Sequence, residues 1–133
     1  MRSIEEIIIH CSDTYASMNT TAADIDRWHR QRGWKGIGYH FVILRNGVVE
    51  EGRDILRIGA HCEGHNEHSV GICLVGGKGE NGQPEDNFTS EQKASARRLV
   101  HDLRMDWAIL KVVGHNHYNK AKACPCFDIN EIL

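Results

Sequence analysis

Short apolar runs alternate along the chain with segments of helical periodicity. Residues 7–9 form a β-branched run, residues 39–44 are apolar on both faces, and residues 69–75 and 109–113 form two further runs. Runs of this length and composition are typical of strands buried in a sheet. An Asn-Gly pair separates the second run from residues 48–50, which predicts a hairpin.

Two segments have the periodicity of amphipathic helices. Thr20 and Thr21 are suitable caps for a helix that carries Ile25 and Trp28, because a hydroxyl group can accept a hydrogen bond from the first turn. Residues 89–92, Thr-Ser-Glu-Gln, form a capping box at the start of a second helix. That helix has an apolar stripe, which predicts a core-facing side, and the stripe consists of Ala96, Leu99, Val100, Leu103 and Trp107.

The remaining segments have little periodicity. Residues 76–87 are rich in glycine and polar residues and predict an exposed loop, and residues 128–132 predict at most a short terminal turn of helix. The sequence contains no repeat or linker that divides it. We therefore predict an α/β fold in which residues 1–133 form a single domain with a central mixed β-sheet flanked by helices.

The composition and charge are those of an ordinary soluble domain. The 133 residues are 41% hydrophobic and 26% charged, with a formal net charge of -2. Proteins that bind nucleic acid through their overall charge are basic, so we expect no nucleic-acid partner. Glu5 and Glu6 stand where a signal peptide carries positive charge, and no run approaches the roughly 18 apolar residues of a membrane span. We expect synthesis in the cytoplasm without a membrane anchor.

Two histidines and a cysteine follow the predicted strands. His10 closes the first apolar run, His115 comes after the last one, and Cys124 lies further along the chain. Two imidazoles and one thiolate are a donor set that binds zinc, and three protein ligands leave a fourth coordination position open. An open position is typical of a metal that takes part in a reaction. These residues therefore predict a zinc-dependent hydrolase.

Other histidines and cysteines have plainer interpretations. We expect His29 to lie on a helix surface and His40 to be a hydrogen-bonded core residue. In a cytoplasmic chain a free cysteine is most often a small buried hydrophobic residue. We expect this of Cys11, Cys62 and Cys73.

Short blocks of recognisable sequence run in order through nearly the whole chain. They are Ile-Ile-His-Cys-Ser at 8–12, Trp-His at 28–29, Gly-Trp at 33–34, Gly-Tyr-His-Phe at 38–41, Val-Glu-Glu-Gly-Arg at 49–53, Gly-Ala-His at 59–61, Ser-Val-Gly-Ile-Cys-Leu-Val-Gly-Gly at 69–77, Asn-Phe-Thr at 87–89, Gly-His at 114–115 and Lys-Ala-Cys-Pro at 122–125. Through these blocks the chain resembles the zinc-dependent type 2 N-acetylmuramoyl-L-alanine amidases, the family of the T-odd phage lysozymes and the peptidoglycan recognition proteins. The phage-lysozyme branch is the more similar of the two.

This resemblance implies an activity and a set of site residues. The reaction is hydrolysis of the amide between the lactyl group of N-acetylmuramic acid and the L-alanine of the peptidoglycan stem peptide. By their positions in the blocks, His10, His115 and Cys124 are the expected ligands of one zinc ion per chain. Tyr39 and Lys122 are the expected catalytic pair. Lys122 is expected to donate to the developing oxyanion, and Tyr39 to hydrogen-bond either the attacking water or the tetrahedral oxygen.

The ligand assignment has alternatives at the end of the chain. Residues 115–122 form a slightly longer segment than in the phage relatives, so His117 competes with His115 for the ligand role. We favour His115, because Gly114-His115 directly follows a strand as in the family. Cys126 is a second thiol nearby, and we expect it to pack rather than to bind metal.

The expected partner is peptidoglycan. His61 and Asn66 lie in a predicted loop between strands, and such loops often carry binding groups, so we expect both in the substrate groove. We also expect a monomer.

Two other functions fit the same resemblance. Some recognition proteins keep the fold and lose the metal, which makes a non-catalytic peptidoglycan-binding module an alternative. One member type among the phage lysozymes restrains its phage RNA polymerase, so such a polymerase is a further candidate partner. We interpret the chain as a phage or prophage endolysin that is made in the host cytoplasm and acts on the cell wall after release.

Overall fold

The computed structural model describes residues 2–133, in which seven strands form two sheets. In chain order they are β1 (Glu6–Cys11), β2 (Thr14–Tyr15), β3 (Phe41–Ile43), β4 (Val49–Glu51), β5 (Ser69–Leu74), β6 (Gly77–Lys78) and β7 (Lys111–Gly114). The main sheet has the order β4-β3-β5-β1-β7, and the second pairs β2 with β6. β4 is antiparallel to β3, whereas the other pairs in the main sheet are parallel. The prediction of a mixed sheet is therefore confirmed.

The two helices, α1 (Ala22–Gln31) and α2 (Ser90–Trp107), both begin at a capping box. Thr21 accepts a hydrogen bond from the backbone of Asp24, and Thr89 accepts one from the backbone of Gln92, which confirms both predicted helix starts. Single 3₁₀ turns follow at His115–His117 and Ile129–Ile132. Neither α-helix within residues 2–133 is long and apolar enough to cross a membrane.

The helices cover opposite faces of the sheet. Alternate residues of a strand point to opposite faces, and Ile7 and Ile9 of β1 accordingly belong to the core beneath α2, together with Ala96 and Val100. A smaller core on the other face contains Ile25 of α1. It is completed by Ile37, Val42, Cys73 and Val75. This arrangement leaves the second side-chain row of β1 facing the α1 side.

Some predicted elements differ from the observed ones. The last strand, expected at 109–113, is observed at Lys111–Gly114. The strand expected at 39–44 is limited to Phe41–Ile43, although the carbonyl group of Tyr39 still accepts a hydrogen bond from the N–H of Arg53. The loop expected at 76–87 begins with the short strand β6, in which Gly77 is buried. The Asn87 side chain bonds both residues of that strand, a long-range contact with no periodic signature in the sequence.

Candidate metal centre

His10 is the buried member of the candidate site. It lies near the end of β1, is 1% exposed, and stands between β5 and β7 in the sheet. Its position in the strand places its ring on the α1 side, opposite the core that contains Ile7 and Ile9. The position of His10, the first ligand candidate, is therefore set by the central strand β1.

His115 comes next to His10 because of the strand register. Gly114 of β7 pairs with Ile9 of β1, so the residue after each of them lies at the same edge of the sheet. The ring centroids of His10 and His115 are 4.6 Å apart. A Cβ atom on Gly114 would lie 2.7 Å from Cδ of Pro125, so the C-terminal segment can pack this closely only against glycine.

Cys124 enters the site from that C-terminal segment. Its carbonyl oxygen accepts a hydrogen bond from the N–H of Asn116, with 2.9 Å between nitrogen and oxygen. Its sulfur accepts one from the N–H of Cys11 at 3.1 Å. A backbone N–H directed at the sulfur suits a thiolate. The contact also holds the sulfur at the end of β1, directly after His10.

The donor atoms of His10, His115 and Cys124 lie within 4.8 Å of one another. In a tetrahedral zinc site with ordinary bond lengths, neighbouring nitrogen and sulfur ligands lie roughly 3.3–3.6 Å apart. A small inward movement of the half-buried His115 and Cys124 side chains would reach that spacing. The donor set and its spacing therefore fit a zinc ion.

His117 and Cys126 lie outside this group. His117 is exposed and lines a cleft of about 430 Å³ with Lys120 and Lys122. Cys126 Sγ lies 3.7 Å from Cys11 Sγ, and its hydrogen bond with Cys11 and partial burial raise the pKa of the Cys126 thiol. The geometry favours His115 over His117 and keeps Cys126 among the packed thiols.

Both imidazoles of the group are held in the neutral form. Burial lowers the pKa of His10 well below its usual value, and the neighbouring rings of His61 and His115 lower it further. Partial burial, followed by the positive charge of Lys122, lowers the pKa of His115. A neutral imidazole is the form that binds a metal.

Tyr39 stands beside the group, just before β3. Its ring centroid is 5.1 Å from that of His10. Burial raises the pKa of Tyr39 well above its usual value, and the thiols of Cys73 and Cys124 raise it further. The phenol is therefore a neutral hydrogen-bond donor at neutral pH.

His29 is placed differently from the prediction of a helix-surface residue. It is 6% exposed, and its Nδ1 accepts a hydrogen bond from the N–H of Gly38 at 2.9 Å. The ring also lies against Tyr39, with centroids 5.6 Å apart. The sequence carries a signal for this burial, because His29 follows the core residue Ile25 by four positions and lies on the same helical face. His29 is thus a support for Tyr39 that the sequence analysis missed.

His40 is a satisfied core histidine, as predicted. It is 1% exposed, its Nδ1 accepts a hydrogen bond from the N–H of Gly71, and its Nε2 donates to the carbonyl oxygen of Arg57. The three cysteines expected in the core, Cys11, Cys62 and Cys73, are also buried.

Lys122 is exposed at the rim of the site. Its backbone N–H donates to the carbonyl oxygen of Asn119, and its side chain lines the cleft beside His117. Its ammonium group is close enough to His115 to lower the pKa of that ring. Lys122 therefore adds a positive charge at the solvent side of the group.

His61 and Asn66, which the sequence predicts in the substrate groove, have partners within the fold. His61 is 9% exposed, and its Nδ1 lies 2.8 Å from Nε2 of His10. The Asn66 side-chain oxygen accepts hydrogen bonds from the N–H groups of His61 and Cys62. Contact of either side chain with substrate stays a prediction.

The fold and the donor set together define a class of protein, a small α/β domain with one two-histidine, one-cysteine site at the carboxyl edge of its sheet. The family model described as N-acetylmuramoyl-L-alanine amidase matches residues 1–127. The chain belongs to this family, and it is a peptidoglycan amidase with the role of a phage endolysin. The resemblance stated from the sequence blocks is thereby confirmed.

Individual relatives agree with the family assignment. The endolysin of Enterobacteria phage K11 is 43% identical over 124 residues, which are 93% of this chain and 82% of the relative. Among solved structures, the amidase LysC from Clostridium intestinale has a TM-score of 0.85 at 30% identity, covering 98% of this chain and 83% of that chain. A mutant of Drosophila PGRP-LB in complex with tracheal cytotoxin has a TM-score of 0.79 at 27% identity, covering 94% and 76%.

Proposed function

We propose that the endolysin activity of this chain depends on one zinc ion held by His10, His115 and Cys124, with Tyr39 and Lys122 as its catalytic pair. The observation that carries the proposal is the convergence of these three donor atoms within 4.8 Å, from strands β1 and β7 and the C-terminal segment. The set contains two neutral imidazoles and a thiol that accepts a backbone N–H, as a zinc site with an open position requires.

The reaction breaks the bond between the lactyl carbonyl carbon and the L-alanine nitrogen, and forms a bond from that carbon to a water oxygen. A proton of that water passes to the departing nitrogen. A zinc ion held by His10, His115 and Cys124 would supply a Lewis acid for the carbonyl and a water with a pKa near 7. The phenol of Tyr39 donates a hydrogen bond to the carbonyl oxygen as it gains negative charge. The ammonium group of Lys122 adds positive charge at the same oxygen from the solvent side.

Mass spectrometry of a peptidoglycan digest tests the reaction. We expect free stem peptides with a new α-amino group on L-alanine, and glycan strands of unchanged length. The Cys124→Ala variant serves as the matched control and is expected to release no stem peptide. New reducing sugar ends would show a glycosidase instead.

The same digest separates catalysis from a non-catalytic binding role. A non-catalytic module would remain bound to insoluble peptidoglycan and would release no stem peptide. The presence of the whole group of His10, His115 and Cys124 beside Tyr39 and Lys122 favours catalysis.

A phage RNA polymerase partner is a second proposal, favoured by an apolar groove on the outer side of α2. Met105 is 74% exposed and Leu110 is 88% exposed. They line the groove, of about 730 Å³, together with Arg97, Arg98 and Arg104. Capture of purified polymerase by the wild-type chain, and its loss in Leu110→Asp, would support this partner. Equal capture by both proteins would show that the groove is not the polymerase-binding surface.

The proposed function also includes the domain organisation, the oligomeric state and the cellular location of the enzyme. We propose that residues 1–133 act as one catalytic domain, that the protein is a monomer, and that it is made in the host cytoplasm before it reaches the cell wall. Light scattering of the zinc-loaded protein tests the monomer. Fractionation of infected or expressing cells before lysis tests the location.

A further inference from the structure

His61 occupies a narrow slot behind His10. A Cβ atom on Gly71 would lie 2.6 Å from Cγ of His61, and one on Gly59 would lie 2.8 Å from its Cδ2. Real Cβ atoms do not approach this closely, so both neighbouring positions require glycine for the ring to fit. The slot therefore fixes the position and the orientation of the His61 ring.

Ser69 determines which ring nitrogen of His61 carries the proton. The Oγ of Ser69 lies 2.7 Å from the carbonyl oxygen of His65, and a carbonyl oxygen only accepts, so the hydroxyl proton is donated there. The same Oγ lies 3.3 Å from Nε2 of His61. Because its single proton is already used, Ser69 accepts at this second contact, and Nε2 of His61 is the donor.

The proton of His10 follows from that of His61. A buried imidazole is neutral and carries one ring proton, so a proton on Nε2 of His61 leaves its Nδ1 as an acceptor. This Nδ1 lies 2.8 Å from Nε2 of His10. Nε2 of His10 is therefore the donor, and the free electron pair of His10 is on Nδ1.

We propose that Ser69 and His61 are positioning residues that hold the proton of His10 on Nε2 and so present Nδ1 of His10 to the metal. The proposal rests on the zinc site of the proposed function, and it gives His61 a role different from contact with substrate. The chain of contacts runs from the carbonyl oxygen of His65 through Ser69 and His61 to His10. It orients a ligand from behind, as outer partners of metal-bound histidines do.

Loss of the Ser69 hydroxyl would release this constraint. In Ser69→Ala, Nε2 of His61 has no acceptor, so His61 can carry its proton on Nδ1 instead. That proton then faces Nε2 of His10 and favours the His10 form with its proton on Nδ1, which cannot bind metal. Ser69 does not touch the metal group, yet we expect Ser69→Ala to weaken zinc binding by about 10- to 100-fold, the usual scale for such partners.

A double-mutant cycle separates this role from simple packing. His61→Asn places an amide oxygen near the position of Nδ1, so it accepts the proton of His10 without help from Ser69. We expect His61→Asn to keep most of the zinc affinity that His61→Ala loses. In the His61→Asn background, Ser69→Ala is expected to change zinc affinity by less than about twofold, since coupled residues are not additive.

Zinc affinity is measured by competition with a chelator, and the thermal unfolding of each metal-free variant reports on folding. If wild-type protein binds no zinc, the proposed function fails. If wild-type protein binds zinc and Ser69→Ala lowers its affinity equally in both backgrounds, the hydroxyl only supports packing and the positioning role is wrong. If Ser69→Ala does not fold, the comparison of His61→Asn with His61→Ala still tests the positioning role. Equal zinc affinity of these two variants would overturn the proposal.

A spectroscopic measurement tests the proton positions directly. Nitrogen-15 NMR of the metal-free protein, at a pH where the rings are neutral, distinguishes a protonated from an unprotonated ring nitrogen. We expect the proton of His10 on Nε2 in the wild type and an increased population on Nδ1 in Ser69→Ala. A His10 ring with its proton on Nδ1 in the wild type would overturn the proposal.

Discussion

The two sides of the candidate metal centre are built differently. His10 is 1% exposed in the middle of the main sheet and has the buried ring of His61 behind it. His115 and Cys124 are only half-buried, and the segment that carries them has little regular structure after its single 3₁₀ turn. One backbone hydrogen bond, from Asn116 to Cys124, joins the two parts of that segment.

This difference assigns different roles to the two sides. The His10 side shares the core of the sheet, so it is ordered whenever the domain is folded. Residues 115–124 contribute no side chain to either core, so this segment should open at a lower free energy than the sheet. A metal that bridges both sides would add to its stability. One half of the proposed zinc site is thus preformed, and the metal would close the other half.

The largest expected effects come from the three ligand candidates. His10→Ala, His115→Ala and Cys124→Ala should each abolish tight zinc binding and turnover, because two remaining ligands hold the metal poorly. Zinc content after dialysis and a lysis assay measure both losses. Only His10→Ala should also lower the free energy of unfolding of the metal-free protein, by roughly 2 kcal/mol or more, since only this ring is fully buried.

Matched controls exist on the C-terminal side. His117→Ala and Cys126→Ser should keep the metal, because neither residue belongs to the converging group. Loss of zinc in His117→Ala, with retention in His115→Ala, would show that His117 and not His115 is the ligand. Equal destabilisation of the metal-free protein by all three ligand variants would contradict the division into a rigid and a loose side.

The proposed catalytic pair should behave differently from the ligand candidates. Tyr39→Phe and Lys122→Ala remove a hydrogen-bond donor and a positive charge but no ligand, so zinc content and folding should survive. The turnover number should fall by about 100-fold in each, the usual scale for loss of one oxyanion donor. Kinetics on purified muropeptides, with the metal content of the same samples, check this. Loss of zinc together with activity in either variant would make that residue part of the metal site.

The strand-borne half of the site was the easier half to predict from sequence. A histidine that closes a buried parallel strand must lie at the carboxyl edge of the sheet, so the run at 7–9 already places His10. The cap residues Thr20 and Thr21 and the capping box at Thr89 predicted the helix starts for the same reason, because their signals are local. The buried position of His29 was also encoded, through its spacing from Ile25.

The supports around the site had no such local signal. The slot of His61 depends on Gly71, which is ten residues away in the chain, and on the hydroxyl of Ser69. Cys124 lies in an irregular segment, so no periodicity predicts its approach to His10. Only the similarity of its Lys-Ala-Cys-Pro block to the family pointed to it.

The buried histidines on the rigid side should make stability depend on pH. Burial lowers the pKa of His40 to about 4, whereas an unfolded histidine has a pKa of about 6.5. Between these values the unfolded chain binds a proton that the folded chain does not, so the free energy of unfolding of metal-free protein should fall as the pH drops from about 6.5 to about 4. The contribution of His40 is on the order of 3 kcal/mol.

Urea unfolding across this pH range measures the slope. His40→Asn keeps an acceptor for the N–H of Gly71 and removes the titrating ring, so its slope should be smaller. His101→Gln, at an exposed position on α2, is the control and should leave the slope unchanged. A slope that is the same in His40→Asn and wild type would show that the pH dependence comes from other groups.

The smallest expected effect tests the two sides directly, through hydrogen exchange with and without zinc. The amide of Asn116 bonds the carbonyl oxygen of Cys124, and the amide of Cys126 bonds that of Ala123, so both depend on the closed C-terminal segment. Removal of zinc should speed their exchange by about tenfold, or roughly 1.4 kcal/mol of local stability. The amide of Ile8, in the centre of β1, should exchange at nearly the same rate in both states. If Ile8 and Asn116 change by the same factor, the two sides open as one unit, and the metal stabilises the whole domain rather than closing its looser half.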